Sequence, residues 1–422
     1  MNQPSTNGRL FKYFLYLVAG FALFTYLHDV LRELFMSQFL DAQHYYLNSR
    51  MLLQGQDVWS LDNTGVGQDL VKTIASGMGI GGVAKVLHSP GFFLLFSPFA
   101  LLPPKFGIIL WVIFCQAAFM VSVIILIKKI PVNPGKLAAV CSVFLIFSFW
   151  PLREGLHLGQ SNFLILFFFA LALLFMKNRR FFLAGVLVGI CIQINEMYLP
   201  VLLLLLFKRY HKAFLGALIA LLLLQLAVIS VFGADKLLSY WRHHLVFFSQ
   251  GDLARIGVGI YSLSFIDLIR RLSGGFLSPL SVYLLYAAVV LSALLIIYSL
   301  TRNSKDTKFD CDLLQLEFSF FIVFCFLVSP WVHEGYFVVL ALPMIVSWFY
   351  INKNPKHANF VLFIVTYLIL ALKYSFVSMP GFLKGKTLDV LLSGKAAGYI
   401  LLLILLGSLL RDYRIFKSDE RG

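Results

Sequence analysis

The sequence predicts an all-α protein, a polytopic transmembrane helical bundle of about twelve spans. Of its 422 residues, 60% are hydrophobic and only 13% are charged, and the mean hydropathy is +0.85. A soluble chain of this length could not cover so much apolar surface with polar side chains. The apolar residues also gather in long runs, and every second connection between these runs is rich in Lys and Arg. Both patterns are typical of proteins that cross the bilayer many times.

The first apolar run follows Arg9 and Lys12 and has no small-residue cleavage site after it, so we expect it to stay in place as a signal anchor. Two later runs, 181–193 and 197–207, are shorter than the roughly 20 residues that a full span needs. We expect them to form a hairpin whose polar tip, 193–196, lies below the membrane surface, where irregular backbone indicates a pocket. The predicted spans are 11–27, 106–127, 137–151, 161–176, 181–193, 197–207, 213–232, 279–300, 313–329, 336–350, 358–372 and 396–410.

Residues 88–104 are apolar, but the segment is short and rich in proline. If it crossed the membrane, the basic turn at Lys128 and Lys129 would lie outside, so we expect it to be re-entrant or interfacial. The basic connections then share one side, and the positive-inside rule places that side and both termini in the cytoplasm. Their basic residues are Arg9, Lys12, Lys128, Lys129, Lys136, Lys177, Arg179, Arg180, Lys208, Arg209, Lys212, Arg302, Lys305, Lys308, Lys353, Lys356, Arg411, Arg414, Lys417 and Arg421.

We interpret the chain as one integral domain, 1–422, in the cytoplasmic membrane, with two long extracytoplasmic connections. The first, 28–105, carries interfacial or re-entrant helices, and the second covers 233–278. The net charge of +15 is spread between the apolar runs and is not gathered on one face, so nucleic acid is not an expected partner. The five cysteines lie in apolar runs or a predicted cytoplasmic turn, and their spacing indicates neither a disulfide framework nor a metal site.

Asp41 lies beyond the first apolar run, at the start of a helix-like stretch on the predicted outer side. Asp41, Tyr45 and Asn48 follow i, i+4, i+7 spacing and would share one face of a helix. An isolated acid in this position suggests an active site on the outer surface, because acids outside the lipid are few in this chain. The alternative is that Asp41 only caps an interfacial helix, which an aspartate does well.

Most other unusual polar residues also fall on the predicted outer side. A channel or symporter more often carries such groups near the middle of the membrane. An outer cluster instead suggests chemistry at the membrane surface on a lipid-linked substrate. Arg153 and Glu154 have a plainer interpretation as an ion pair at a helix end. Besides Asp41, the cluster contains His44, His88, Arg153, Glu154, His157, Gln160, Asn162, Gln193, Asn195, Glu196, His243, His244, His333 and Glu334.

Four segments, in this order along the chain, resemble glycosyltransferase family 87, which consists of polytopic enzymes of the GT-C class. Their order and their common side, more than any single motif, carry the resemblance. The segments are Asp41-x-x-x-Tyr45-Tyr46 with Gly55; His88-Ser89-Pro90 with Ser97-Pro98 and Leu110-Trp111; Gly159-Gln160-Ser161-Asn162 with Gly185, Gly189 and Pro200; and Ser329-Pro330-Trp331-Val332-His333.

The resemblance implies a GT-C-like bundle with a catalytic loop region on its outer face. It implies transfer of a hexose, most often mannose, from a polyprenyl-phosphate donor to a lipid or glycan acceptor of the cell envelope, with membrane lipids around the donor's tail. We expect an inverting displacement with Asp41 as general base, and neither a metal nor another cofactor. The candidates for binding the donor phosphate and the substrates are His88, Arg153, His333, Gln160, Asn162 and Tyr45. The secondary candidates are Glu154, Glu196, Asn195 and Glu334.

Two other classes of function stay open. A transporter or flippase of a lipid-linked precursor would use Glu196 as a proton relay and would need a polar path toward the cytoplasm. Beyond Gln225 and Glu317, the sequence offers few residues for such a path. A non-catalytic assembly subunit is a third possibility, but a scaffold has no need for a cluster of acids and histidines on its outer face.

Overall fold

The computed structural model describes residues 6–62, 65–80, 88–130, 135–249, 263–273, 276–302, 310–371 and 386–419. Every regular element within these ranges is a helix, which confirms the all-α prediction. Some predicted features lie outside the described residues. They are Lys305, Lys308 and Arg421 of the basic connections, 63–64 and 81–87 of the first long connection, and 250–262 and 274–275 of the second.

The described helices differ widely in length, from single turns to more than thirty residues. Two are short 3-10 helices, Glu196–Tyr198 and Glu334–Leu340. The α-helices are α1 Thr6–Met36, α2 Leu40–Leu53, α3 Val58–Asp62, α4 Gly65–Gly77, α5 Pro90–Ala100, α6 Pro104–Lys128, α7 Lys136–Phe147, α8 Trp150–Leu158, α9 Asn162–Lys177, α10 Phe181–Ile194, α11 Val201–Phe207, α12 His211–Phe232, α13 Ala234–Ser249, α14 Phe265–Ser273, α15 Pro279–Arg302, α16 Cys311–Val328, α17 Ala341–Lys353, α18 His357–Ala371 and α19 Lys386–Asp419.

Within the described residues, six helical segments are long and apolar enough to cross a membrane, and α7 with α8 makes a seventh if this pair, bent by 46°, is one span. Each of the twelve predicted runs overlaps a described helix, and these helices indicate a multi-pass membrane protein. The count of about twelve crossings stays a prediction, because several of the helices are shorter than a span requires. The six segments are Leu10–Met36, Pro104–Lys128, His211–Phe232, Cys311–Val328, Glu334–Lys353 and Gly394–Phe416.

The chain divides into two compact units, each assembled from segments that are distant in sequence. Unit 1 consists of Met1–Arg32, Ser122–Glu154 and Leu263–Gly422, and unit 2 consists of Glu33–Val121 and Gly155–Ser262. In unit 1, α16 is buried along nearly its whole length and packs against α17 and α19. In unit 2, α10 packs against α9 and α12, and α2 packs against α5.

The close packing of α10 and α12 shows how these two helices of unit 2 are oriented. A Cβ atom on Gly185 would lie 1.8 Å from the Ala213 carbonyl oxygen, and one on Gly189 would lie 2.6 Å from the Ala217 oxygen. Both contacts advance along the two helices in the same direction, so α10 and α12 run parallel. The chain between them must therefore reverse, which agrees with the hairpin predicted for 181–207.

Candidate active site

Asp41 lies in the first turn of α2, where the helix dipole favours a negative charge. The N-cap position belongs to Phe39, whose backbone is left-handed (φ 48°) and whose side chain makes no capping hydrogen bond. The half-buried Asp41 carboxylate accepts a hydrogen bond from Gln160 Nε2. Asp41 is therefore not the helix cap that the plainer interpretation proposed, and its side chain points to a contact 119 residues away in the sequence.

Gln160 and Asn162 form a chain of amides that ends on Asp41. An ionised carboxylate can only accept, so Gln160 turns its NH2 group to Asp41, and its own oxygen accepts from Asn162 Nδ2 at 2.5 Å. Both amides are buried, with 3% and 1% of their surface exposed. Asn162 Oδ1 has no hydrogen-bond partner among the described residues. A buried acceptor in this state favours a ligand that donates, such as a hydroxyl group.

Gly159 allows this amide chain to reach α2. Its backbone has φ +71°, and a Cβ atom there would lie 2.7 Å from Ala42 Cβ, so a larger residue would be strained in both respects. The Gly159 carbonyl accepts a hydrogen bond from the buried Trp111 Nε1 at 3.0 Å. The loop before α9 is thus held against both α2 and α6, and this contact positions Gln160 beside Asp41.

Tyr45 lies one helical turn from Asp41 and is buried among aromatic rings. Its ring centroid is 5.0 Å from that of His88, 4.7 Å from Phe92 and 6.2 Å from Trp111, each in an edge-on arrangement. Edge-to-face packing of this kind is favourable, and the rings together form an aromatic wall. The structure therefore brings Asp41, Tyr45, His88, Gln160 and Asn162 together within unit 2.

His88 precedes α5, and backbone carbonyl groups at the hairpin tip bind His88 and its neighbour Ser89. His88 Nδ1 lies 3.3 Å from the Ile194 carbonyl oxygen, and the neighbouring Ser89 hydroxyl donates to the Gln193 carbonyl at 2.6 Å. Desolvation by burial lowers the pKa of His88 to about 4, and burial has the same effect on His44. His88 is therefore neutral at physiological pH and carries no positive charge for a phosphate.

Asn195 and Glu196 form the tip itself. Asn195 Oδ1 caps the 3-10 helix by accepting from the Met197 backbone N–H at 3.1 Å. Glu196 accepts a hydrogen bond from the Tyr240 hydroxyl on α13. Desolvation raises the pKa of Glu196, and the Tyr240 hydrogen bond only partly offsets this. A raised pKa makes Glu196 less suited than an ionised carboxylate to act as a base.

Arg153 belongs to unit 1, where its partner is Asp29 and not Glu154. Arg153 Nε lies 2.6 Å from Asp29 Oδ2, and Nη2 donates to the Thr25 hydroxyl at 3.2 Å. The arginine is 22% exposed and the aspartate 28%, so the pair is only partly solvated. The ion pair that the sequence suggested between Arg153 and Glu154 is therefore replaced by a pair across α1 and α8.

His333 and Glu334 also belong to unit 1, at the start of the second 3-10 helix. His333 Nδ1 accepts the Gly335 backbone N–H at 3.2 Å, and burial lowers the pKa of His333 to about 4. Glu334 Oε1 lies 2.8 Å from the ammonium group of Lys395, which is 1% exposed and also donates to the Leu370 carbonyl at 2.6 Å. His333 is thus adjacent in sequence to Glu334, which forms an ion pair with the buried Lys395.

Lys395 is the residue of this cluster that the sequence analysis missed. It precedes the apolar run 396–410 by one position, and it also interacts electrostatically with Glu154. A charged residue at the border of an apolar run is a recognised sign of function in membrane proteins, and that sign was present in the sequence. Its pairing with Glu334 could not be read there, since 61 positions separate the two residues.

The family model of glycosyltransferase family 87 matches residues 87–330, which is more than half of the chain. The match includes Gln160, Asn162 and the hairpin tip, whereas Asp41 lies before it and His333 just after it. No curated protein and no solved structure matches the chain. The extent of the family match, on a helical protein with several apolar spans, leads to one conclusion: the chain belongs to glycosyltransferase family 87 and is a membrane glycosyltransferase.

Proposed function

We propose that this glycosyltransferase moves a hexose, with mannose as the first candidate, from a polyprenyl-phosphate donor to an envelope lipid or glycan outside the cytoplasmic membrane. The observation that carries the proposal is the Asp41 carboxylate. It is half-buried, it accepts from the amide chain of Gln160 and Asn162, and it lies one turn from the aromatic wall around Tyr45. A carboxylate held by a donor of fixed orientation is suited to act as a general base.

The proposed reaction is a single displacement. The acceptor hydroxyl oxygen forms a bond to the anomeric carbon while the bond from that carbon to the phosphate oxygen breaks. Asp41 takes the hydroxyl proton, and the polyprenyl phosphate leaves with the electron pair of the broken bond. Attack from the face opposite the leaving group inverts the anomeric configuration. Since the leaving group is already a phosphate, its departure needs hydrogen-bond donors or positive charge near its oxygens.

Three groups of unit 1 are candidates for donating to an anionic group such as a phosphate. His333 uses Nδ1 to accept from Gly335, so in its neutral form the hydrogen is on Nε2, which can donate. Lys395 supplies an ammonium group, which pairs with Glu334, the neighbour of His333 in the sequence. Arg153 uses Nε for Asp29 and Nη2 for Thr25, and we assign its third nitrogen, Nη1, to a phosphate oxygen. Charge-assisted hydrogen bonds of this kind are stronger than neutral ones.

The decisive experiment is transfer by the purified full-length protein in lipid nanodiscs, with a panel of polyprenyl-phosphate hexoses and extracted envelope lipids as acceptors. We expect a glycosylated product from at least one donor, and loss of that product for Asp41→Asn. Asp69→Asn is the matched control, because Asp69 is an exposed carboxylate of the same unit. Equal turnover by wild type and Asp41→Asn would remove Asp41 as the base and leave Glu154 and Glu196 as the candidates.

The proposed outer location of the site has its own test, on a variant that lacks the five native cysteines. Single cysteines at positions 41, 157 and 333 should react with an impermeant thiol reagent from outside intact cells. Cysteines at 129, 209 and 305 should react only after the membrane is opened, as the positive-inside rule requires. Labelling of positions 41 and 129 from the same side would contradict the proposed topology.

A transporter of a lipid-linked precursor is the second candidate, and one observation favours it. Gln225, within a candidate span, donates to Gln193 Oε1 at 3.2 Å, which extends the polar groups of the hairpin tip into the apolar region. A transporter would move a labelled lipid-linked sugar between leaflets of a proteoliposome without changing it, and Glu196→Gln would stop this movement. Chemical transfer of the sugar in the nanodisc assay would instead support the glycosyltransferase proposal.

A further inference from the structure

Two histidines of this protein are held by backbone groups of opposite character. His88 Nδ1 lies 3.3 Å from the Ile194 carbonyl oxygen, and His333 Nδ1 lies 3.2 Å from the Gly335 backbone nitrogen. A carbonyl oxygen can only accept, so His88 carries its hydrogen on Nδ1. A backbone N–H can only donate, so His333 keeps a lone pair on Nδ1 and carries its hydrogen on Nε2.

In each histidine, the hydrogen-bonding role of the second ring nitrogen, Nε2, therefore follows from that of Nδ1. In the neutral imidazole, one nitrogen donates and the other accepts. His88 presents Nε2 as an acceptor, whereas His333 presents Nε2–H as a donor. Both residues are half-buried. Desolvation also lowers the pKa of each to about 4, which keeps both rings neutral near pH 7.

This difference decides which chemical group each histidine can bind. The ionised phosphate of a polyprenyl-phosphate sugar has only acceptor oxygens, so the lone pair of His88 Nε2 would repel it. A sugar hydroxyl can donate to that lone pair. Two further acceptors belong to the same unit: the Asp41 carboxylate, and Asn162 Oδ1, a buried acceptor without a hydrogen-bond partner among the described residues.

Position supports the same conclusion. The His88 ring packs edge-on against Tyr45, with 5.0 Å between ring centroids, and Tyr45 is one helical turn from Asp41. Residues at this spacing have Cβ atoms about 5–6 Å apart. His88 and the Asp41 carboxylate that we propose as the base are thus both neighbours of Tyr45.

We propose that His88 accepts a hydrogen bond from a hexose hydroxyl through Nε2 and determines sugar specificity, and that it does not bind the donor phosphate. This inference rests on the proposed function for the class of substrate. The hydroxyl belongs either to the transferred hexose or to a hexose of the acceptor, since both present the same chemistry.

The test compares two variants that each keep one half of the imidazole. His88→Asn places an amide N–H near the position of Nδ1, which keeps the bond to Ile194 but removes the acceptor at Nε2. His88→Gln extends further and returns an amide oxygen near the position of Nε2. Equal unfolding temperatures for wild type and both variants are the control for folding. If His88→Asn does not fold, His88→Gln and His88→Leu provide the same contrast of acceptor present and acceptor absent.

Binding is measured directly, so that the result does not depend on turnover. The two ligands are a polyprenyl-phosphate mannose and the same polyprenyl phosphate without a sugar. We expect His88→Asn to bind the sugar-bearing ligand about tenfold more weakly and the sugar-free ligand as wild type does, with His88→Gln restoring most of the loss. His333→Asn, which keeps the contact to Gly335 but lacks Nε2–H, should weaken both ligands alike.

If the hydroxyl belongs to the acceptor, both polyprenyl ligands bind His88→Asn normally, and the loss appears as weaker binding of an alkyl mannoside. Monodeoxy versions of the affected sugar then identify the hydroxyl, because one of them should bind wild type and His88→Asn equally. Equal weakening of the sugar-free polyprenyl phosphate, or unchanged binding of all three ligands, would overturn the inference. These readouts are separate from the proposed function, which fails only if wild type transfers no sugar.

Discussion

The two units differ in the character of their polar side chains. The cluster in unit 2 presents acceptors: the Asp41 carboxylate, Asn162 Oδ1 and the Nε2 atom of His88. The cluster in unit 1 presents donors: the Arg153 guanidinium, the Lys395 ammonium and the Nε2–H group of His333. A glycosyl phosphate requires both acceptors and donors in its binding site, since its hydroxyl groups donate and its phosphate oxygens accept. Unit 2 therefore offers groups that can bind a hydroxyl, and unit 1 offers groups that can bind a phosphate.

The units also hold their polar groups in different ways. In unit 2, the neutral amides of Gln160 and Asn162 orient the Asp41 carboxylate, and backbone carbonyls hold His88 and Ser89. In unit 1, two cations are paired with carboxylates, Arg153 with Asp29 and Lys395 with Glu334. A partly buried cation needs such a partner when no phosphate is bound. Removal of a charge should therefore affect catalysis in unit 2, and both stability and phosphate affinity in unit 1.

The largest effect should come from the acceptor cluster. Asp41→Asn keeps the size of the side chain and an oxygen that can accept from Gln160, but it removes the proton acceptor. We expect kcat to fall by about 10²–10⁴, with donor affinity close to that of wild type. Steady-state transfer kinetics and equilibrium donor binding separate the two quantities. A large loss of donor affinity in Asp41→Asn would contradict the view that the groups of unit 2 do not bind the phosphate.

In the donor cluster, Lys395→Met should reduce both donor affinity and stability. It leaves Glu334 as a buried charge without its cation, and removal of one partner of such a pair costs about 3 kcal/mol or more. We expect donor affinity to fall more than tenfold. The double variant Lys395→Met with Glu334→Gln should regain much of the stability but none of the affinity, which distinguishes phosphate binding from folding.

Lys356→Met is the matched control for this variant. Lys356 also pairs with an acid of unit 1, Asp412 at 2.9 Å, but its side chain is 60% exposed. Exposed pairs contribute about 1 kcal/mol or less, so neither stability nor donor binding should change much. If both lysine variants bind the donor as wild type does, Lys395 does not bind the donor phosphate.

Arg153→Lys should have a smaller effect. A lysine retains the charge but cannot hold Asp29, Thr25 and a phosphate oxygen with one planar group. We expect donor affinity to fall about tenfold for Lys and further for Ala. Asp29→Asn is the companion variant, because it removes the countercharge and leaves the guanidinium. Equal donor binding by wild type, Arg153→Lys and Arg153→Ala would show that Arg153 only supports the packing of α1 and α8.

Much of the fold could be predicted, because apolar runs and basic connections are local properties of the sequence. Every predicted run overlaps a described helix, and the spacing of Asp41 and Tyr45 correctly predicted one helix. The partners of the charged side chains could not be predicted in this way. Arg153 lies next to Glu154 in sequence but pairs with Asp29, since the packing of helices and not proximity in the chain decides which charges meet.

The hydrogen-bonding character of the two histidines also could not be predicted from the sequence. Both follow or precede serine and proline residues in similar apolar surroundings, and both were predicted to bind the phosphate. Their difference depends on which backbone group lies opposite Nδ1, a carbonyl for His88 and an N–H for His333. A backbone partner of this kind is set by the tertiary fold, so only the structure separates an acceptor from a donor.

The last prediction concerns acid stability, and it again compares the units. Burial lowers the pKa of His44 and His88 in unit 2, and of His333 in unit 1, to about 4, against an ordinary value of about 6.5. Between these two values the unfolded chain binds protons that the folded chain does not, so stability rises with pH in this window and falls on acidification. At pH 5 each of these histidines should cost about 2 kcal/mol relative to pH 7 or above.

Unit 2 contains two of these histidines and unit 1 contains one, so the histidines should destabilise unit 2 more than unit 1 as the pH falls from 7 to 5. The raised pKa of Glu196 acts in the opposite sense and makes this difference smaller. Amide hydrogen exchange at the two pH values, corrected for intrinsic rates, measures the opening of each unit separately. His44→Gln should reduce the pH dependence in unit 2 only, because glutamine does not titrate, whereas His333→Gln should reduce it in unit 1 only. Equal acid sensitivity of the two units, unchanged by either variant, would mean that these histidines titrate alike in the folded and unfolded chains.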